Sequence, residues 1–238
     1  GAKHDEAQTG ARYRIVTFNV GYCGLGRDED FFMDGGTRVR PDTKDEVEEN
    51  LSGLISALSL QDADICFLQE TDIHSRRSFW VNESDAFARG LSMGSAFAYN
   101  FRCAFIPYPW PPIGKVESGI TTLNNLAVTE ATRESLPVPF GWPLRLANLK
   151  RCLLIERVPV ANTDKELVLV NLHLEAYSSV EGRKAQMEQL TELLKAERAK
   201  GNYVVAGGDF NQSFPGSLDV YPLPENPAWE PGQLTEDE

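Results

Sequence analysis

Apolar and polar positions along this chain follow two alternating periods. Residues 13–20, YRIVTFNV, form a short β-branched and aromatic run that breaks into the glycine-rich GYCGLG, which predicts a strand feeding a loop. From Pro41 the period changes: Thr43 and Glu46 have capping-box spacing, and Val47, Leu51, Leu54, Ile55 and Leu58 fall on one face of a helix ending near Leu60. ADICFLQE (63–70) is again a short apolar run, closed by two polar residues, as in a buried strand whose C-terminal end emerges at a surface. Further strands are predicted at 95–101, 119–129, 150–160, 166–174 and 202–207. Between the last two, Ser178 and Glu181 have capping-box spacing, and Met187, Leu190, Leu193 and Leu194 give a helical stripe to about Lys200. PYPWPP (107–112) fits no regular element and reads as a packed surface loop.

Strand-helix-strand units mixed with consecutive strands, without a break in composition, predict a single α/β domain with mixed sheets. Its expected limits are 13–211, after a flexible tail at 1–12; residues 212–238 hold five of the 14 prolines and form an irregular acidic segment. A chain of 238 residues, 42% hydrophobic and 24% charged, has ordinary globular proportions, which exclude wholesale disorder and fibrous repeats. The net charge of −12 argues against a broad basic surface for nucleic acid, though carboxylates that hold a divalent cation would themselves use part of it. Cys23, Cys66, Cys103 and Cys152 form no CxxC pair, which excludes a zinc ribbon or thioredoxin motif and favours free thiols. No apolar stretch is long enough to span a membrane. The chain begins with Gly1, so the compartment stays open, including secretion or anchoring through a removed leader.

Four predicted strands end on polar residues: Asn19 in TFNV, Glu70 in FLQE, His173 in NLHL, and Asp209 with Asn211 in GGDFN. Loops beyond strand ends carry the working groups of layered α/β folds, because the sheet fixes their positions and the surface gives access. Carboxylate and amide oxygens directed at one point suit a hard cation or an attacking water, and an imidazole suits proton donation near neutrality. Each residue also has a plain explanation: an Asx turn at GGDFN, side-chain bonding to a nearby turn at Asn19, a solvated strand end at Glu70, and a core histidine at position 173. His74 reads as a loop residue. The pairs Arg76-Arg77 and Lys150-Arg151 are either phosphate contacts or solvated loop ends, with Arg151 the better candidate for a substrate phosphate. Tyr108-Pro109-Trp110 has a substrate-facing or lipid-facing platform as its alternative to a packed loop.

In this order TFNV, LQET, NLHL and GDFN, with VESGITTLNN (116–125) between the second and third, make the chain resemble the endonuclease/exonuclease/phosphatase superfamily from about Tyr13 to Asn211. The resemblance implies an α/β (α+β) four-layer sandwich, two mixed β-sheets face to face with helices outside. It also implies a metal-dependent phosphoesterase using Mg²⁺ (or Mn²⁺). In that scheme Asn19 and Glu70 hold the metal, Asp209 and Asn211 orient the water nucleophile, and His173 binds a non-bridging phosphate oxygen. The substrate would be a small phosphorylated metabolite, a lipid head group or nucleic acid, with no obligate protein partner. Family members end in a strand followed by an Asp-His pair, whereas no histidine follows His173 here. The expectation is therefore a sandwich missing its last strand or strands, with poor hydrolysis by this chain alone. The alternative is a catalytically incomplete binding or scaffold module that retains the fold and one divalent-ion site.

Overall fold

The computed structural model describes residues 5–26, 36–138, 149–176, 180–223, 225 and 232–233. The first unit is strand β1 (Ile15–Asn19), helix α1 (Lys44–Ser59) and strand β2 (Ile65–Asp72), the strands parallel in the register Ile15↔Ile65 to Asn19↔Gln69. The Thr43 hydroxyl caps α1 by accepting from the Glu46 N–H at 3.2 Å, and the Glu46 carboxylate accepts from the Asp42 N–H at 3.0 Å. Helix α2 (Glu83–Leu91) leads into a long hairpin, β3 (Gly94–Ile106) and β4 (Gly114–Asn124), and the first sheet has the order β1-β2-β4-β3.

The second sheet, in the order β5-β6-β7-β8, comprises β5 (Glu130–Ser135), β6 (Cys152–Pro159), β7 (Glu166–His173) and β8 (Tyr203–Asp209). Helix α3 (Val180–Ala199) connects β7 to β8, which are parallel from Leu167↔Tyr203 to His173↔Asp209. Alternation of side chains across the pleat explains why β2 and β7 read as continuous apolar runs. On β2, Cys66 and Leu68 pack against α1 and α2, while Ile65 and Phe67 meet Val158, Leu167 and Leu169 of the second sheet. On β7, Val168, Val170 and Leu172 share a cluster with Leu190 of α3. The layers are therefore helix, sheet, sheet, helix.

Several expectations need correction. The expected tail is tied down from Asp5 to Ala7: Ala7 is buried, its N–H donates to Pro159 O at 2.8 Å, and Asp5 and Ala7 bridge to Leu126 and Val160. Strand β4 begins five residues before its predicted start, because the β3–β4 hairpin extends past the end of β2. Helix α2 and strand β5 were not anticipated: the exposed edge strand EATRES carries no apolar alternation, and α2 buries Glu83 and Ser84 beside Phe87. The C-terminal segment contains the short helix α4 (Ser217–Val220) and a parallel pair of two-residue strands, β9 (Gln212–Ser213) and β10 (Gly232–Gln233). The predicted Ser178–Glu181 cap lies outside the described residues.

Candidate active site

The C-terminal ends of β1, β2, β7 and β8 meet at one edge of the sandwich, and their closing residues converge. Asn19 Nδ2 donates to Glu70 Oε1 at 3.1 Å and to Asp209 Oδ2 at 2.9 Å, joining both sheets through one amide. Its Oδ1 accepts from the Gly21 N–H at 3.0 Å, which fixes the orientation of the side chain. His173 Nε2 lies 3.6 Å from Asp209 Oδ2 and 4.0 Å from Glu70 Oε1. The Asn211 N–H donates to Asp209 Oδ1 at 2.9 Å, and Asn211 Nδ2 donates to Leu174 O at 2.9 Å. Asn211 thus aims Asp209 Oδ2 at the centre and ties the end of β8 to the residue after His173.

Backbone distortion aims these groups. The ladder between β2 and β4 slips between Gln69 and Thr71, leaving Glu70 as the bulged residue with φ +56°. Asn211 has φ +51°, and Gly208 has φ +151° with Leu172 O so close that a Cβ there would collide with backbone. Left-handed non-glycine residues are strained by about 1–3 kcal/mol each and cluster at functional sites, which matches Glu70 and Asn211 here.

Buried polar contacts behind the site hold it in place. Gln69 Nε2 donates to Asn171 Oδ1 at 2.9 Å across the two sheets, and Asn171 Nδ2 donates to Thr121 O at 2.9 Å. Gln69 directly precedes Glu70, and Asn171 stands two residues before His173. Their signal in the sequence was a polar residue inside an apolar run. Arg77 forks onto Asp72 at 2.9 and 3.0 Å and lies 3.8 Å over the Tyr22 ring. Burial opposes the Arg77 charge, but the Asp72 carboxylate outweighs it and raises the pKa. Glu83 accepts from the Asp72 N–H at 2.8 Å; burial, and then the Asp72 charge, push its pKa well up.

Burial, and then the nearby Arg151 charge, hold the His173 pKa well below its usual value, so the imidazole is neutral at pH 7. Its Nδ1 is buried without a hydrogen-bond partner among the described residues. An unpaired lone pair at Nδ1 costs less than an unpaired N–H, which assigns the proton to Nε2, facing the carboxylates. Arg151 itself does not line the mouth: it is buried, with Nε 3.7 Å from Glu175 Oε2, and it acts on the site through its field at His173. His74 packs against Trp80, with ring centroids 4.7 Å apart and planes tilted by 45°. All four cysteines are free thiols.

Among the described residues no group of three His, Cys, Asp or Glu side chains is arranged as a ready metal cage. The chemistry of the donors nevertheless suits a hard divalent cation. Glu70 and Asp209 present part-exposed carboxylates toward one point, and water would complete the coordination. Asn19 faces them with Nδ2, so in this arrangement it positions the carboxylates.

Comparisons with known proteins bear on the family and the fold. The model of the endonuclease/exonuclease/phosphatase family matches residues 16–229. An endonuclease/exonuclease/phosphatase from Beutenbergia cavernae DSM 12333 is similar in structure, with 15% identity over 76% of this chain and 43% of that one, at a TM-score of 0.52. A functionally unknown conserved protein from Enterococcus faecalis V583 is similar over 83% of this chain and 66% of its own, with 19% identity and a TM-score of 0.52. The human Nocturnin catalytic domain, solved with bound sulfate, matches at 20% identity over 73% of this chain and 60% of that one, with a TM-score of 0.48. The chain thus spans less than two thirds of the length of these proteins, and the likeness is one of fold. No curated protein sequence matches it. With the family match covering most of the chain and two four-stranded sheets packed between helices, the protein belongs to the endonuclease/exonuclease/phosphatase family and has its hydrolase fold.

Proposed function

We propose that this edge of the sandwich is a divalent-metal-assisted phosphoesterase centre, in which water attacks a phosphoryl group. The supporting observation is the meeting of Glu70, Asp209, Asn19 and His173 from four strands within hydrogen-bonding or near-bonding distance. A bound Mg²⁺ or Mn²⁺ would supply Lewis acidity and a more acidic water. Glu70 and Asp209 hold the cation, with Asn19 keeping the two carboxylates in register. Asn211 holds Asp209 Oδ1 so that Oδ2, shared with Asn19, faces the centre and orients the nucleophile. The neutral His173 donates Nε2–H to a phosphoryl oxygen and stabilises charge that grows in the transition state. Among the described residues the three buried cysteines have raised thiol pKa values, which disfavours a thiolate nucleophile.

The test is hydrolysis of bis-p-nitrophenyl phosphate by the chain with Mn²⁺ or Mg²⁺, alongside thermal melting with and without the ion. Asp209→Asn should reduce turnover by about 10²–10³-fold, the range for removing one transition-state contact. Glu70→Gln should abolish the ion-dependent rise in Tm. Absence of both turnover and ion-dependent stabilisation refutes the proposal. A wild-type Tm shift without turnover replaces it with the ion-binding scaffold reading.

A further inference from the structure

The β3–β4 hairpin was expected to be packed, yet Phe105, Tyr108 and Trp110 are 57, 72 and 87% exposed. Its position follows from the register. Asp72, at the end of β2, pairs with Ser118, and Gly114 pairs with Ile106, so the hairpin overshoots β2 by four residues, about 13 Å, at the edge that carries Glu70.

Three properties of this finger distinguish it from an ordinary loop. Its apex presents Trp, Tyr and Phe, the residue types that settle where hydrocarbon meets water. Four of the six residues 107–112 are proline and carry no N–H, so the tip has few backbone donors to strip of water. Charge changes just behind it. From Ala86 to Val116 the sequence holds no Asp or Glu, in a chain with 35 of them.

Four cations surround the hairpin base. Arg102 and Lys115 flank it, sharing Glu117 at 3.1 and 3.2 Å. The Arg76 N–H donates to Lys115 O at 2.8 Å, and its side-chain stem crosses Gly114. Arg40 lies over the Phe79 ring at 5.3 Å and feels the Arg76 charge. Arg102 stands three residues, about 10 Å, behind Phe105 along β3, comparable to the depth between lipid head groups and the acyl boundary.

We propose that this hairpin is a membrane-surface anchor: its aromatic tip inserts at the boundary of a lipid bilayer, and the basic base faces the phosphate layer. A convex, donor-poor apex suits a fluid layer that closes around it, and the basic collar is complementary to anionic lipid where the rest of this acidic protein is repelled. The anchor sets the edge carrying Glu70, Asp209 and His173 against the head groups, so the ester hydrolysed is that of a phospholipid. This last step rests on the phosphoesterase reading; the anchor itself does not.

The experiment is co-sedimentation of the full chain with unilamellar vesicles of phosphatidylcholine and phosphatidylserine, at about four to one, beside the Tyr108→Ser/Trp110→Ser variant. Both side chains are exposed, so the variant should keep its Tm and far-UV circular dichroism, and Trp110→Ser alone serves if it does not. Wild type should partition to vesicles, more weakly as salt rises, and the variant should lose about tenfold or more in partition. Soluble bis-p-nitrophenyl phosphate is measured in parallel. Turnover without vesicle binding overturns the anchor and leaves the phosphoesterase reading standing; vesicle binding that needs Trp110 without turnover does the reverse. Vesicle binding unchanged in both variants, or a dimer broken by Trp110→Ser in a wild type that ignores vesicles, also overturns the anchor.

Discussion

Glu156 offers a direct test of how the sandwich is held together. It projects from β6 into the space between the sheets, is 2% exposed, and accepts a 2.6 Å hydrogen bond from Asn124 Nδ2 on β4. Burial raises its pKa from 4.5 to about 7, with the Asn124 bond opposing the shift. A carboxyl whose folded pKa is raised binds its proton more tightly when folded, so stability is greatest at low pH and falls as pH rises through 7. With these two pKa values the contribution at pH 5 is about 2.6 kcal/mol and at pH 8 less than about 0.1 kcal/mol, a loss near 2.5 kcal/mol. Glu156→Gln keeps one acceptor for Asn124 and cannot ionise. The variant's advantage over wild type in urea-unfolding free energy should grow by about 2.5 kcal/mol between pH 5 and pH 8. Other titrating groups are common to both proteins and cancel in the difference. An equal gap at both pH values, or a wild type that gains on the variant at pH 8, refutes the assignment of a neutral acid between the sheets.

Other perturbations address the support of the site. Gln69→Leu leaves Asn171 Oδ1 without its donor and should cost about 1–3 kcal/mol, while Gln69→Leu/Asn171→Leu should cost less than the sum of the singles in urea unfolding. Gly208→Ala drives a Cβ into Leu172 O; it should lower stability by about 2 kcal/mol or more by thermal melting and displace Asp209 from His173. Arg77→Met strands the Asp72 carboxylate in the interior and should destabilise by about 3–5 kcal/mol, with Arg77→Lys unable to restore the bidentate fork. Native alkylation followed by mass spectrometry should label Cys103 first. Cys66 and Cys152 are buried, with pKa values pushed up to about 11, and equal labelling of all four thiols would contradict the described core.

How much of this was legible in the sequence depends on whether the determining forces are local. The strands of the core were visible because Ile65–Leu68 and Leu167–Leu172 are buried on both faces, and their apolar runs stop where the chain reaches solvent. The residues closing those runs, Asn19, Glu70, His173 and Asp209, were legible for the same reason. Arg151 was misplaced: the sequence shows a cation at a strand end, but not that Glu175 draws it inward. Likewise Gln69 and Asn171 read as polar interruptions until the second sheet pairs them across more than 100 residues of chain. The hairpin tip was read as packed because apolar residues usually are, and only the register shows that β3 and β4 have outrun β2. Glu70 combines both limits. Its type and place at the end of ICFLQE mark a candidate carboxylate, but its aim depends on a bulge against β4, a strand that begins more than 40 residues later. The sequence therefore identifies the carboxylate, whereas the strained backbone that turns it toward Asp209 and His173 exists only once the sheet has formed.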